Sequence, residues 1–91
     1  MKKKENVILV GKKPTMSYVL AVMTQFNNGN DEVVLKARGK SISRAVDVVE
    51  AVKNKFMKDI KPIVTVGTEK VTSKDGNQLN VSTVDILIKK V

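Results

Sequence analysis

The sequence predicts an α/β protein, a two-layer βαβαββ sandwich in which two helices cover one mixed four-stranded sheet. Three observations carry this. Two short apolar, β-branched runs are each followed by residues with a helical period, and an Asp-Gly pair later separates two alternating segments. Ninety-one residues are enough for one core and too few for two, so residues 1–91 are read as a single domain, with residues 1–5 as a flexible basic tail.

Val7-Ile8-Leu9-Val10, ended by Gly11, fits a strand buried on both faces. Pro14 suits the first position of a helix, where its missing N–H costs nothing. Met16, Val19, Leu20, Met23 and Phe26 then recur at three- and four-residue spacing as core positions, and Gly29 supplies the stop. Asp31 to Ala37, built on Val33-Val34-Leu35, reads as a second buried strand, and the single helix between the two strands makes them parallel. From Ser41 the apolar residues Ile42, Ala45, Val46, Val49, Val52 and Phe56 follow the helical period. The valines weaken intrinsic helix propensity, so burial must hold this second helix together. Pro62 suits the first residue of a strand, and residues 63–72 and 80–90 pair as an antiparallel hairpin with its tip near Lys74 to Asn77.

Charge is placed unevenly. Seventeen Lys plus Arg against nine Asp plus Glu give +8, which favours an acidic partner. Residues 1–13 hold five lysines and Glu5, net +4, and residues 36–44 hold Lys36, Arg38, Lys40 and Arg44 with no acid, again +4. Lys2, Lys3 and Lys4 read as a solvated tail. The other two clusters fall on loops that leave parallel strands, and such loops lie at one sheet edge. Gly11-Lys12-Lys13-Pro14 and Ala37-Arg38-Gly39-Lys40-Ser41 therefore converge, each opening a helix whose free N–H groups and dipole add positive potential. That arrangement suits a polyanion. Arg44 extends the patch, with pairing to Asp47 as its structural alternative.

Other chemistries are excluded or weak. Without Cys or His there are no disulfides, thiolate nucleophiles, His bases or Cys/His zinc sites, no cofactor is indicated, and an intracellular protein is expected. Val7 to Val10 is too short for a signal peptide core and no run can span a bilayer, so no membrane association is expected. Gly11-Lys-Lys-Pro is neither a dinucleotide loop nor a Walker loop. Asp47 and Glu50 read as surface partners of Arg44 and Lys53, and the Asn80-Val81-Ser82 sequon as a chance match.

VILVGKKP at Val7 to Pro14, Ser17-Tyr-Val-Leu, Lys36-Ala-Arg-Gly-Lys with Ser43-Arg-Ala-Val-Asp, Asn54-Lys-Phe56, Asp75-Gly and Val81-Ser-Thr-Val together resemble the Alba family of archaeal chromatin proteins, from about residue 6 to residue 89. The resemblance implies the βαβαββ fold that the family shares with the C-terminal domain of bacterial translation initiation factor three. It further implies a homodimer coating double-stranded DNA on the chromosome in the cytoplasm, with RNA as a second ligand and no enzymatic activity. Lys12 and Lys13 match the family's paired nucleic-acid lysines, Lys12 being where some members are acetylated, and Arg38, Lys40 and Arg44 match further basic contacts. The hairpin would reach toward the minor groove through Lys74, Asn77 and Asn80, the two asparagines standing where many members carry arginine, which leaves Lys74 as the only cation of that arm. The segment before Pro62 is slightly shorter than in some relatives. Asn54 and Phe56 match the place where neighbouring dimers touch, the structural alternative for Phe56 being a core residue that closes the second helix. Two other functional readings remain beside chromatin: an RNA-binding protein of the ribonucleoprotein or RNA-processing kind, and a non-catalytic module for an acidic protein partner.

Overall fold

Local sequence preference and apolar spacing produce the expected order of elements in a computed structural model, which describes residues 6–91. The tail expected at residues 1–5 lies outside them. Strand β1 is Val7–Leu9, helix α1 Thr15–Asn27, β2 Glu32–Arg38, α2 Ile42–Ala51, β3 Ile60–Thr72 and β4 Gln78–Lys90. A 3₁₀ turn at Gly39–Ser41 leads into α2, and a π-helical turn at Val52–Phe56 leads out of it. The sheet order is β1-β2-β4-β3, with β1 parallel to β2 and the other neighbours antiparallel.

Alternation along the central strands sorts the sheet into two faces. Val33, Leu35 and Ala37 on β2 and Val84, Ile86 and Ile88 on β4 are buried beneath the helices, where they meet Val19, Val22, Val48 and Val52. Each such Val, Leu or Ile side chain contributes about 1.5–3 kcal/mol by leaving water. The opposite face is uncovered, and this corrects the reading of β1. It is a three-residue edge strand that turns only Ile8 toward the core, leaving Val7 38% and Leu9 73% exposed. A continuous apolar run reads as a strand covered twice, whereas the helices cover this sheet on one side only.

The helices are rotated from the expected register in a similar way. Tyr18, Val19, Val22 and Phe26 form the buried arc of α1, and Met16 and Leu20 are exposed rather than core. At about 100° per residue, Met16 lies about 105° and Leu20 about 145° from the centre of the buried stripe. In α2 the buried residues are Ala45, Val48 and Val49, continued by Val52, while Val46 faces solvent. The Met57 N–H bonds the Val52 carbonyl at 2.7 Å, five residues back, which widens the last turn and leaves Phe56 49% exposed. Phe56 therefore does not close the core.

The hairpin strands are longer than expected. Pro62 is the third residue of β3, tolerated because β3 is an edge strand. At the tip the Ser73 N–H bonds the Asn77 carbonyl at 2.8 Å, and Gly76 adopts φ 87°, a conformation that favours glycine.

Candidate nucleic-acid interface

Parallel pairing dictates where the first two loops emerge. Leu9 lies beside Lys36, and the Val10 N–H bonds the Lys36 carbonyl at 2.8 Å, so both strands end at the same edge. The turn after β1 and the turn after β2 consequently sit side by side. Arg44, in the first turn of α2, reaches across and its Nη1 donates to the Gly11 carbonyl at 2.9 Å. One guanidinium thus ties the second basic segment to the first. Its alternative partner Asp47 is not engaged: the ion pairs among the described residues are Lys36 with Asp85, Arg38 with Glu69 and Lys89 with Glu32. Nor do Asp47 and Glu50 pair with Arg44 and Lys53; Glu50 accepts instead from the Asn54 side-chain amide at 3.4 Å.

Lys12, Lys13 and Lys40 are exposed on this edge and form no ion pair among the described residues. The backbone behaves differently from expectation. The N–H groups of Gly11 and Lys13 do not wait for a ligand; both donate to the Tyr18 hydroxyl, at 2.8 and 3.1 Å. Positive potential at the first turn therefore comes from lysine side chains more than from unpaired amides.

Arg38 is not free either. Its Nη1 donates to Glu69 Oε1 at 2.7 Å, joining the end of β2 to the hairpin. This pair and the Lys36–Asp85 pair lie in an open groove of about 700 Å³, bounded also by Leu9, Thr68 and Thr83. Sequence reasoning missed Glu69 because its partner lies 31 residues away and no local spacing signals the contact.

Lys74 and Asn77 sit at the hairpin tip, but Asn77 is a turn-builder. Its carbonyl accepts from the Ser73 hydroxyl, and its side-chain amide donates to Asp75 Oδ2 at 3.2 Å. The Ser73 hydroxyl also donates to Asp75, and together with the Asn77 amide this holds the Asp75 carboxyl below the usual carboxylate range. Asn80 lies on β4 directly across from Lys70, so the arm carries Lys70 as well as Lys74, a correction to the single cation expected. The pairing of residues 63–72 with 80–90, which sets Lys70 on the same hairpin, is the signal that could have found it. Asn54 and Phe56 occupy the π-helical turn at the end of α2 away from Arg44, apart from the basic edge.

A small basic α/β protein whose two parallel-strand loops form one cationic edge is the class defined by this fold and site. The sequence matches the Alba family over residues 6–73. It is 48% identical over 87 residues to the DNA/RNA-binding protein Alba of Methanocella arvoryzae, covering 94% of this chain and 91% of that protein. Among solved structures, Alba from Thermoplasma volcanium is similar with a TM-score of 0.88 and 49% identity, covering 93% of this chain and all of that one. The crystal structure of ALBA1 from Trypanosoma brucei matches at a TM-score of 0.71 and 25% identity, over 99% of this chain and 73% of the other. The chain belongs to the Alba family.

Proposed function

We propose that this protein is a non-enzymatic homodimer that binds double-stranded DNA through the phosphate backbone, coating or compacting the chromosome in the cytoplasm, and that RNA binds the same surface. The observation that carries the reading is the convergence of the two basic turns, tied by the Arg44 to Gly11 hydrogen bond. Lys12, Lys13, Arg38, Lys40 and Arg44 are the body contacts, Arg38 once it leaves Glu69, and Lys70 and Lys74 the arm contacts. Acetylation of Lys12 removes one of these charges and weakens the grip.

An uncovered apolar strip supports dimerisation. Val64 and Val66 pair with Ile86 and Val84, so they share the helix-bearing face. The helices lie over β1, β2 and β4, leaving Val64 56% and Val66 75% exposed on β3. A second copy laid on this strip by two-fold symmetry buries both valines and doubles the charge from +8 to +16. Neighbouring dimers on one nucleic acid then meet through Asn54 and Phe56.

Sequence-neutral binding to a duplex, or to structured RNA, follows from the aromatic inventory. Tyr18 and Phe26 are buried, and Phe56 alone remains to stack on an unpaired base. A dimer that neutralises about six phosphates gives a log–log salt slope near −5. The RNA-processing reading is favoured by one observation only, the DNA/RNA-binding name of the Methanocella relative. Electrophoretic titration of DNA and RNA duplexes of equal length, beside a measurement of solution mass, tests the proposal. Retarded DNA and a mass twice that of the chain are expected. Retardation of RNA alone points to RNA processing, and no retardation of either at low salt leaves the acidic-partner module.

A further inference from the structure

An uncharged side chain sits beneath the basic edge. Tyr18 is only 8% exposed, and its ring belongs to the core beside Val19, Val22 and Phe26. Its hydroxyl contributes nothing to that packing; it accepts the N–H groups of Gly11 and Lys13. A phenolic oxygen has two lone pairs, so two amides fill its accepting capacity. On the other side of the same turn, the Gly11 carbonyl is held by Arg44. Three hydrogen bonds from α1 and α2 thus fasten the turn at two residues, Gly11 and Lys13, with exposed Lys12 between the two amides that are held.

Among the described residues no other hydrogen bond is made to Gly11, Lys12 or Lys13. Gly11 is not in the left-handed region, so glycine's conformational freedom does not dictate its path. A Cβ added to Gly11 would meet the Tyr18 oxygen at 3.5 Å, an ordinary contact, so steric closeness does not dictate it either. Phenylalanine would fill the ring's place in the core equally well; what the oxygen adds is a fixed backbone for two lysines. Ordering a loop on binding costs free energy, and a loop already ordered avoids that cost.

We propose that Tyr18, assisted by Arg44, is a positioning residue that presets the Gly11–Lys13 turn so that Lys12 and Lys13 meet adjacent phosphates. This rests on the reading of the edge as a phosphate-binding surface. Because the hydroxyl is neutral, it adds affinity without releasing counterions. Its removal lowers affinity at every salt concentration and leaves the salt slope unchanged, which distinguishes it from the loss of a lysine.

The test is Tyr18→Phe in the full chain, with duplex DNA affinity measured by fluorescence anisotropy across salt concentrations and backbone amide exchange followed by NMR. The expected result is binding about three- to tenfold weaker at an unchanged slope, with faster exchange at Gly11 and Lys13 and unaltered protection at Val22 and Leu35. Wild-type affinity, or a changed slope, overturns the proposal. Should the variant melt too low to assay, exchange in the unaltered protein decides: Gly11 and Lys13 must be protected relative to Lys12, whose amide has no partner among the described residues, and equal exchange at all three overturns the proposal. A Lys12→Gln, Lys13→Gln variant separates the two levels. If it binds as tightly as the wild type, the phosphate-binding reading of the edge fails, whatever Tyr18 does.

Discussion

Replacing Glu69 by Gln should strengthen nucleic-acid binding. In the free protein Glu69 holds Arg38 at 2.7 Å, with side chains 50% and 61% exposed, so the acid competes with phosphate for an arginine of the basic edge. An exposed pair of this kind is worth about 0.2–1 kcal/mol. Releasing it in each protomer raises affinity about 1.4- to 5-fold per Arg38, or roughly 2- to 30-fold for a dimer engaging both. Each Arg38 that then neutralises a phosphate steepens the log–log salt slope by about 0.9. Fluorescence anisotropy with a duplex across salt concentrations measures both quantities. Glu32→Gln is the control, because Glu32 pairs with Lys89 near the opposite end of β2 and its loss should leave binding almost unchanged. Unchanged or weaker binding by Glu69→Gln, at an unchanged slope, would show that Arg38 does not face phosphate.

Other perturbations give equally definite outcomes. Substituting both Lys12 and Lys13 by Gln should flatten the salt slope by about 0.9 for each lysine that contacts phosphate and leave the melting temperature unchanged, since both side chains are exposed; calorimetry beside the binding titration checks this. Phe56→Ala should cost far less than the 3–5 kcal/mol or so typical of a buried Phe→Ala change, while Phe26→Ala, with Phe26 4% exposed, should cost that full amount in denaturant melts. Phe56→Ala should also reduce cooperativity along DNA. The lowered Asp75 carboxyl stabilises the hairpin tip above the ordinary carboxylate range, and that contribution is lost as pH falls through its folded value. The Asn77 amide resonance should therefore titrate at a pH below that of an ordinary Asp; titration at the ordinary value refutes the Ser73–Asp75 contact as its cause.

Element order and the meeting of the basic turns were legible because both follow from connectivity. A strand, a helix and a second parallel strand must bring their outgoing loops to one edge, and Gly11, Gly39 and the Asp75-Gly76 turn mark the ends of the pieces. What stayed hidden depends on three-dimensional register. Met16 and Leu20 satisfy helical spacing as well as Tyr18 and Val22 do, and only the position of the sheet selects the buried stripe. Leu9 reads as core until β1 is seen to be an edge strand with one covered face. Glu69 reaches Arg38 across 31 residues, a tertiary placement that no local pattern encodes, whereas Tyr18 reaches back only seven and five residues to Gly11 and Lys13 through a hydroxyl that helical spacing does not reveal.

The most direct test of a single interface built from two remote turns is an NMR titration of the labelled protein with a short DNA duplex, following every backbone amide. Residues 11–13 and 38–44 should shift together with one common midpoint. Shifts confined to one of these segments, or centred on the open sheet face around Val34 and Leu87, would contradict the account.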